Sequence, residues 1–217
     1  MTLIEDIQKE ATRSDCDIVA LLRKTLIASH KLQLKDLEDW INCELKGYKG
    51  NDKIPVYRES IYGQLKYFNP YNGWQFIIYD DPRMNQITNR LNITFPITQI
   101  VDVYRRATNS TVSITLPPEA VGFIWNDMDF GPFDTRLFFD KSVLWNIVEQ
   151  VKNNILDWSM MLEDKGICGH GLSFSQEEKS IAQNTPSIVN YTNNFYSSSE
   201  KLMIQQGTES SVENMHH

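Results

Sequence analysis

The sequence has 217 residues, of which 41% are hydrophobic and 23% charged, and this composition excludes collagen-like, wholly disordered and disulfide-scaffold proteins. Its 21 basic and 28 acidic residues give a net charge of -7, the wrong sign for a protein whose main task is to neutralise phosphates. Nucleic acid is therefore disfavoured as a partner, although a local basic patch is compatible with this charge.

The cysteines and the N-terminus indicate a cytoplasmic protein. Cys16, Cys43 and Cys168 are an odd number at wide spacing, which favours reduced thiols over disulfides or a metal site. Glu5 and Asp6 stand where a signal peptide carries basic residues. No apolar run approaches the roughly 20 residues that cross a bilayer, so we expect no membrane association.

Three helices are predicted in the first fifty residues, because apolar side chains recur there every three or four positions. They cover residues 3–12, residues 18–27 and the stretch from Lys35 to a C-cap at Gly47. Ser14 or Asp15 is the expected N-cap of the second helix. The first part of the chain is therefore predicted to be a small helical unit.

Strands are predicted after Pro55, where aromatic and β-branched residues become frequent. The predicted strands cover residues 57–68, 74–79, 111–116 and 136–139. The first contains a bulge at Gly63, and a turn at residues 69–73 joins it to the second as a hairpin. Residues 97–105 fit a helix or a strand, and the spacing of their apolar positions favours a short helix.

A long amphipathic helix is predicted after the sheet, beginning at Asp140 or Ser142 and ending at Gly166. Beyond it the composition changes, since 16 of the 34 residues at 184–217 are Ser, Thr, Asn or Gln. The predicted class is α+β, with N-terminal helices, a small, mostly antiparallel sheet and the long helix in one domain at residues 1–183. The remaining residues form a polar tail with short strand-like segments.

The residue types that most often carry chemistry predict no catalytic, cofactor or metal site. The standard motifs of hydrolases and of nucleotide-binding proteins are missing from the sequence. Asp127, Asp129 and Asp134 are the nearest candidate for a nuclease-type magnesium site, but a solvated acidic loop is favoured. Cys168 and His170 lack the further ligands that zinc requires. The sequence thus favours a protein without enzymatic activity, and this question stays open.

Aromatic residues cluster between positions 40 and 74 and alternate with basic residues. This combination is typical of surfaces on which single-stranded nucleic acid stacks. Packing of the rings between the helices and a hairpin is the favoured interpretation. The aromatic residues concerned are Trp40, Tyr48, Tyr57, Tyr62, Tyr67, Tyr71 and Trp74.

One pattern is more specific than the others. It consists of Trp40-Ile41-Asn42-x-Glu44-Leu45-x-Gly47-Tyr48, followed by Pro55-x-Tyr57-Arg58. This pattern resembles the signature of the AbiTii family of bacterial proteins, most strongly over residues 3–68 and extending to about residue 183. The family is associated with abortive infection, in which an infected bacterium stops growing or dies before phage multiply. The resemblance assigns no biochemical mechanism.

Most of the signature is expected to be scaffold, with Glu44 and Arg58 as the exceptions. A carboxylate and a guanidinium at such a junction are predicted to pair, either as an orienting bridge or as half of a ligand pocket. The candidate interaction residues are Trp40, Glu44, Tyr57 and Arg58.

The favoured hypothesis is a cytoplasmic, non-enzymatic sensor or adaptor of phage defence, or an oligomerising interaction module. Its polar tail is expected to recruit a protein partner or a second copy of the chain, because isolated strand pairs need a partner for stability. The alternative is a toxin effector with nuclease or RNA-binding activity that uses Arg58 and the acidic loop at Asp127 and Asp129. A phage structural protein has lower weight, since the signature would then have no explanation.

Overall fold

The computed structural model describes residues 2–126, 131–171 and 173–185. These residues fall into two compact units, of which the first combines Met1–Val56 with the chain from Gln150 onward and the second is Tyr57–Glu149. Helices and small antiparallel sheets confirm the predicted α+β class. The predicted tail strands lie outside the described residues and stay a prediction.

The secondary structure of the described residues is mainly helical. The helices are α1 (Leu3–Ala11), α2 (Ile18–Leu32), α3 (Lys35–Lys46), α4 (Pro82–Thr88), α5 (Ile97–Arg106), α6 (Pro118–Trp125), α7 (Ser142–Asp164) and α8 (Gln176–Gln183). The strands are β1 (Ile61–Tyr62), β2 (Gln64–Asn69), β3 (Gly73–Phe76), β4 (Arg90–Leu91), β5 (Thr111–Thr115) and β6 (Thr135–Asp140). Among the helices described, none has the length and apolar character needed to cross a membrane.

Side chains cap the N-terminal helices of the first unit. Thr2 and Glu5 form a reciprocal capping box at the start of α1. The predicted cap of α2 at Ser14 or Asp15 is wrong, because the Asp17 side chain accepts the first free backbone N–H groups of that helix. Helix α3 begins at Lys35 and is closed by Gly47, as predicted.

The apolar faces of the first unit's helices are fully buried. They hide most of the large aliphatic side chains that have helical spacing in the sequence. The buried members from α1, α2 and α3 include Ile4, Ile7, Leu21, Leu22, Leu32, Leu37 and Ile41. From the second half of α7 they include Val151, Ile155, Trp158 and Leu162. The predicted helical unit is confirmed, and α7 and α8 complete it.

The second unit contains a four-stranded antiparallel sheet with the strand order β3-β2-β6-β5. Strands β5 and β6 confirm those predicted at residues 111–116 and 136–139, and α5 confirms the helix predicted at residues 97–105. The predicted hairpin is present as β2 and β3, but β3 ends at Phe76 and is shorter than the strand predicted at residues 74–79. Leu65 lies opposite Leu137, and Leu137 lies opposite Ile114, so that these buried side chains share one face of the sheet. We call it the inner face.

The single strand predicted at residues 57–68 is wrong, because Gly63 divides it. Residues before Gly63 form a 3-10 turn at Val56–Arg58 and the short strand β1, which pairs with β4 in a separate sheet. The Gly63 N–H donates to the Asn89 carbonyl at 2.8 Å. A Cβ at position 63 would approach the Phe138 carbonyl oxygen to 2.7 Å, so only glycine permits this crossing.

Helix α7 confirms the long helix predicted after the sheet. Asp140 accepts the Ser142 N–H at 2.8 Å, which satisfies one of the free donors at its start. At its end Gly166 adopts a φ of 73°, and the Ile167 N–H donates to the Leu162 carbonyl at 2.9 Å. The sequence prediction did not include α4, α6, α8 or β4.

Candidate functional site

Helix α3 and the loop that follows it border a cavity of about 340 Å³ in the first unit. Its volume lies at the lower end of the range for small-ligand sites. The lining residues are Asp36, Asp39, Trp40, Cys43, Tyr48, Asn51, Asp52, Lys53, Ile54 and Pro55. Trp40, Tyr48 and Pro55 of this lining belong to the sequence signature, four residues belong to the loop between its two parts, and Asp36, Asp39 and Cys43 come from other positions of α3.

A tight turn closes the loop side of this cavity. The Asp52 N–H donates to the Lys49 carbonyl at 3.0 Å, while the Lys49 N–H donates to the Asp52 carboxylate at 2.7 Å. Gly50, between them, has a φ of 55°, in the left-handed region that favours glycine. These reciprocal bonds hold the Asp52 carboxylate at the cavity.

Glu44 positions one of the aromatic walls. It is completely buried, and the hydroxyl of Tyr48, which follows the end of α3 at Gly47, donates to Glu44 Oε1 at 2.7 Å. A buried carboxylate needs such donors to offset the loss of water. Trp40, one turn earlier, is only 6% exposed and lines the same cavity. Trp40 and Glu44 are four residues apart on α3 and therefore lie on the same side of that helix, whereas Tyr48 follows the helix end at Gly47.

The cavity's thiol is poorly suited to nucleophilic attack. Burial, together with the nearby carboxylate of Asp52, raises the pKa of Cys43 above its ordinary value. The thiolate is the reactive form, so Cys43 is protonated and unreactive near neutral pH. The charged lining consists of the carboxylates of Asp36, Asp39 and Asp52 and the ammonium of Lys53. Asp39 is paired with Lys35 at 2.6 Å, and the remaining carboxylates of Asp36 and Asp52 outnumber the Lys53 ammonium, which suits binding of a positively charged group.

Arg58 lies in the second unit, where it organises the backbone. Its side chain is completely buried, and its Nη1 donates to the carbonyls of Ile93 at 3.1 Å and Phe95 at 2.9 Å. Its own carbonyl accepts the Ile93 N–H at 2.8 Å. Tyr57 precedes it in the 3-10 turn and is half-buried. Because Glu44 belongs to the first unit, the predicted Glu44–Arg58 pair stays a prediction.

The sequence profile of the family AbiTii matches residues 2–187, which is most of the chain. The chain belongs to the AbiTii family. No curated protein and no solved structure matches it. The AbiTii match includes all of α3, the cavity and the four-stranded sheet, so both units are parts of the family's domain.

Other candidate residues of this AbiTii protein have local partners or lie outside the described part. Asp134 forms a 2.7 Å ion pair with Arg136, whereas Asp127 and Asp129 are not among the described residues. Burial raises the pKa of Cys168, and His170 takes part in a backbone bridge with a neighbouring turn. Within the described ranges, no group of three or more acidic, His or Cys side chains is placed to hold a metal ion.

The aromatic residues predicted to cluster between positions 40 and 74 are divided by the fold. Trp40 and Tyr48 belong to the first unit. Tyr67 points to the inner face of the sheet, where its ring meets Trp125 at 5.5 Å, while Trp74 lies on the opposite face. On that opposite face, Trp74 contacts aromatic rings at 68 and 138 that the sequence prediction did not single out. Their alternation with buried residues in β2 and β6 is the signal that identifies them.

Proposed function

We propose that this AbiTii protein acts in abortive infection as a sensor or adaptor, through binding rather than through chemistry of its own. The observation that carries the proposal is the family match over residues 2–187, since the family is associated with this form of phage defence. The cavity supports a binding role, because three residues of the family signature, Trp40, Tyr48 and Pro55, line it.

The chemistry of the cavity favours a cationic occupant. Trp40 offers an aromatic wall, and three carboxylates face one ammonium in its lining. An ammonium or guanidinium group gains from both features, through attraction to the carboxylates and to the aromatic ring. We propose that the occupant is a basic side chain of a partner protein, which gives the adaptor role a specific contact.

A phage challenge tests this proposal in a bacterial host that expresses the full chain. Asp36→Lys reverses the charge at one exposed position of the cavity. Because the new lysine repels a cationic partner, we expect protection to fall by about tenfold or more. The measurement is the efficiency of plating relative to cells without the protein. Glu59→Lys, an exposed carboxylate of the second unit, is the matched control and retains protection.

Growth without phage distinguishes the toxin alternative. A sensor or adaptor leaves uninfected cells growing at the normal rate, whereas a toxin arrests them when it is expressed alone. Growth arrest that Asp129→Ala abolishes, with the variant still folded, would contradict the proposal. Equal protection by the wild-type protein and Asp36→Lys would contradict the assigned role of the cavity.

A further inference from the structure

The outer face of the four-stranded sheet carries aromatic and basic side chains. Side chains alternate between the two faces of a strand, so the residues beside the buried Leu65 and Leu137 point outward. We define the aromatic face as these outward residues of β2, β3 and β6. They are Lys66, Phe68, Trp74, Phe76, Arg136 and Phe138.

These six side chains are in continuous contact across three strands. The Trp74 ring centroid lies 5.5 Å from that of Phe68 and 4.9 Å from that of Phe138. Lys66 Nζ lies 4.4 Å from the Phe76 centroid, and the Arg136 guanidinium lies 5.2 Å from the Trp74 centroid. The rings of Phe68, Trp74 and Phe138 meet edge to face rather than in stacked pairs.

Much of this aromatic surface is open to solvent. Phe68 is 42% exposed and Phe76 is 55% exposed, although the solvent side of an antiparallel sheet ordinarily carries polar residues. Cross-strand aromatic pairs stabilise a sheet, but this stabilisation does not explain why Phe68 and Phe76 are exposed to water. An exposed apolar patch that also carries basic groups is typical of a binding surface.

The register also places two positive charges side by side. Lys66 lies directly opposite Arg136 on neighbouring strands and on the same face. Like charges in this arrangement destabilise a sheet, and an anion between them relieves the repulsion. Asp134 relieves part of it, since its carboxylate binds Arg136 with bonds of 2.7 to 3.1 Å. Lys66 is held over the rings of Phe76 and Phe138.

We propose that the aromatic face binds single-stranded nucleic acid. Unpaired bases stack on the exposed rings of Phe68 and Phe76 beside the half-buried ring of Trp74, and a backbone phosphate lies between Lys66 and Arg136. Antiparallel four-stranded sheets with aromatic side chains on an open face bind single strands in this manner, because every base presents a flat ring for stacking. Duplexes keep their bases covered and lack this contact.

This proposal departs from the expectation set by the net charge of -7. The net charge opposes binding that depends on many phosphate contacts, whereas stacking contributes without them. Two basic groups therefore predict weak salt dependence, with a slope of about -1.4 for the logarithm of the binding constant against the logarithm of salt concentration. The slope distinguishes stacking from general electrostatic attraction.

Fluorescence anisotropy with the purified full chain tests the proposal directly. The probes are fluorescein-labelled oligo(dT) and oligo(rU) of about eight nucleotides, which matches the span of small single-strand sites. A duplex of equal length is the comparison. We expect both single strands to bind at least about tenfold more tightly than the duplex, and the ratio of their affinities shows whether DNA or RNA is preferred.

Variants on the face separate stacking from charge. Phe76→Ser removes an exposed ring from edge strand β3 and weakens binding by about five- to hundredfold. Lys66→Gln reduces the magnitude of the salt slope from about 1.4 to about 0.7, because one phosphate contact is lost. Tyr62→Ala is the matched control, since this ring is 63% exposed but belongs to β1, outside the four-stranded sheet. Circular dichroism shows whether each variant is folded.

Equal affinities of folded Phe76→Ser and Tyr62→Ala would overturn the proposal. A wild-type protein that binds neither single strand would also overturn the proposal. If Phe76→Ser then abolishes self-association, the aromatic face is instead an interface between two copies of the chain. The biological meaning of the inference rests on the proposed defence role, but the oligonucleotide assay does not. Phage protection without oligonucleotide binding would leave the defence role standing and overturn this inference alone.

Discussion

Glu44 and Tyr48 show how a single hydrogen bond shapes the candidate cavity. Gly47 ends α3 with a φ of 84°, and the chain beyond it brings the Tyr48 hydroxyl to 2.7 Å from the Glu44 carboxylate, with both side chains buried. A bond to a charged group in such surroundings is stronger than one at the surface. The sequence predicts a pair between Glu44 and Arg58, which stays a prediction, and it does not predict the bond to Tyr48.

Gly63 is the position at which the sheet architecture depends on the absence of a side chain. Gly63→Ala would bring a Cβ to 2.7 Å from the Phe138 carbonyl oxygen and 2.8 Å from Leu137 Cγ. We expect the free energy of unfolding to fall by about 1–3 kcal/mol, the usual cost of overpacking. Chemical denaturation of the two proteins measures the difference.

The control for this prediction is Gly122→Ala. Gly122 lies in α6, and an added Cβ there meets nothing within 4 Å. Alanine favours helix over glycine, so this variant gains up to about 1 kcal/mol of stability. Two alanine variants of equal stability would show that the close approach at Gly63 does not exist.

At the scale of elements, apolar periodicity predicted the helices well because their burial is set by one continuous stripe of side chains. The first three helices, α5 and α7 all follow this rule, and each has at least two fully or nearly buried apolar residues at helical spacing. The short elements α4, α6 and β4 carry weaker patterns. Their positions depend on caps and on pairing with distant residues, which periodicity does not contain.

The N-cap of α2 offers a test at this scale. Asp17 Oδ1 accepts the N–H groups of Val19 at 3.0 Å and Ala20 at 3.2 Å, so Asp17→Ala is expected to lower the free energy of unfolding by about 1 kcal/mol. Asp15, which the sequence suggested as a cap, instead forms an exposed ion pair with Arg13. Replacing Asp15 by alanine is therefore expected to change stability less than Asp17→Ala does, because an exposed ion pair contributes little.

Thermal and chemical denaturation measure both aspartate variants. The comparison is well matched, because the two substitutions are two positions apart and each removes one aspartate carboxylate. A larger loss of stability for Asp15→Ala than for Asp17→Ala would place the cap where the sequence predicted it and would contradict the geometry at Asp17.

The sheet shows what alternation predicts and what it omits. Alternation along β2 and β6 predicts that Lys66, Phe68, Arg136 and Phe138 point away from the buried side chains. It does not predict that β2 and β6 are neighbours, because they are about seventy residues apart. The aromatic face therefore depends on the pairing of β2 with β6, which places Lys66 opposite Arg136.

At the scale of the whole molecule, the polar tail is the source of a prediction about assembly. We propose that residues after 183 mediate oligomerisation or recruit a protein partner, because short strand-like segments rich in Ser and Asn are stabilised by pairing with another strand. The full chain is then expected to have a larger mass in solution than residues 1–183, which retain α8 up to Gln183.

Light scattering coupled to size exclusion measures both masses. Circular dichroism of residues 1–183 confirms that the shorter chain is folded, so that a change in mass reflects the tail. Monomeric masses for both proteins would contradict tail-driven assembly. A smaller oligomer for the shorter chain would support it.

The amino-acid sequence alone determined the α+β fold class of this protein. The order of helices and strands follows from apolar periodicity and turn residues, which act over a few neighbouring positions. The sequence also determined family membership, since the family profile matches residues 2–187 without reference to the structure. Only the tertiary structure decided the division into two units, the placement of Tyr67 and Trp74 on opposite faces of the sheet, and the position of Lys66 opposite Arg136. These features depend on strand order and register, which arise from contacts between distant residues that no local pattern records.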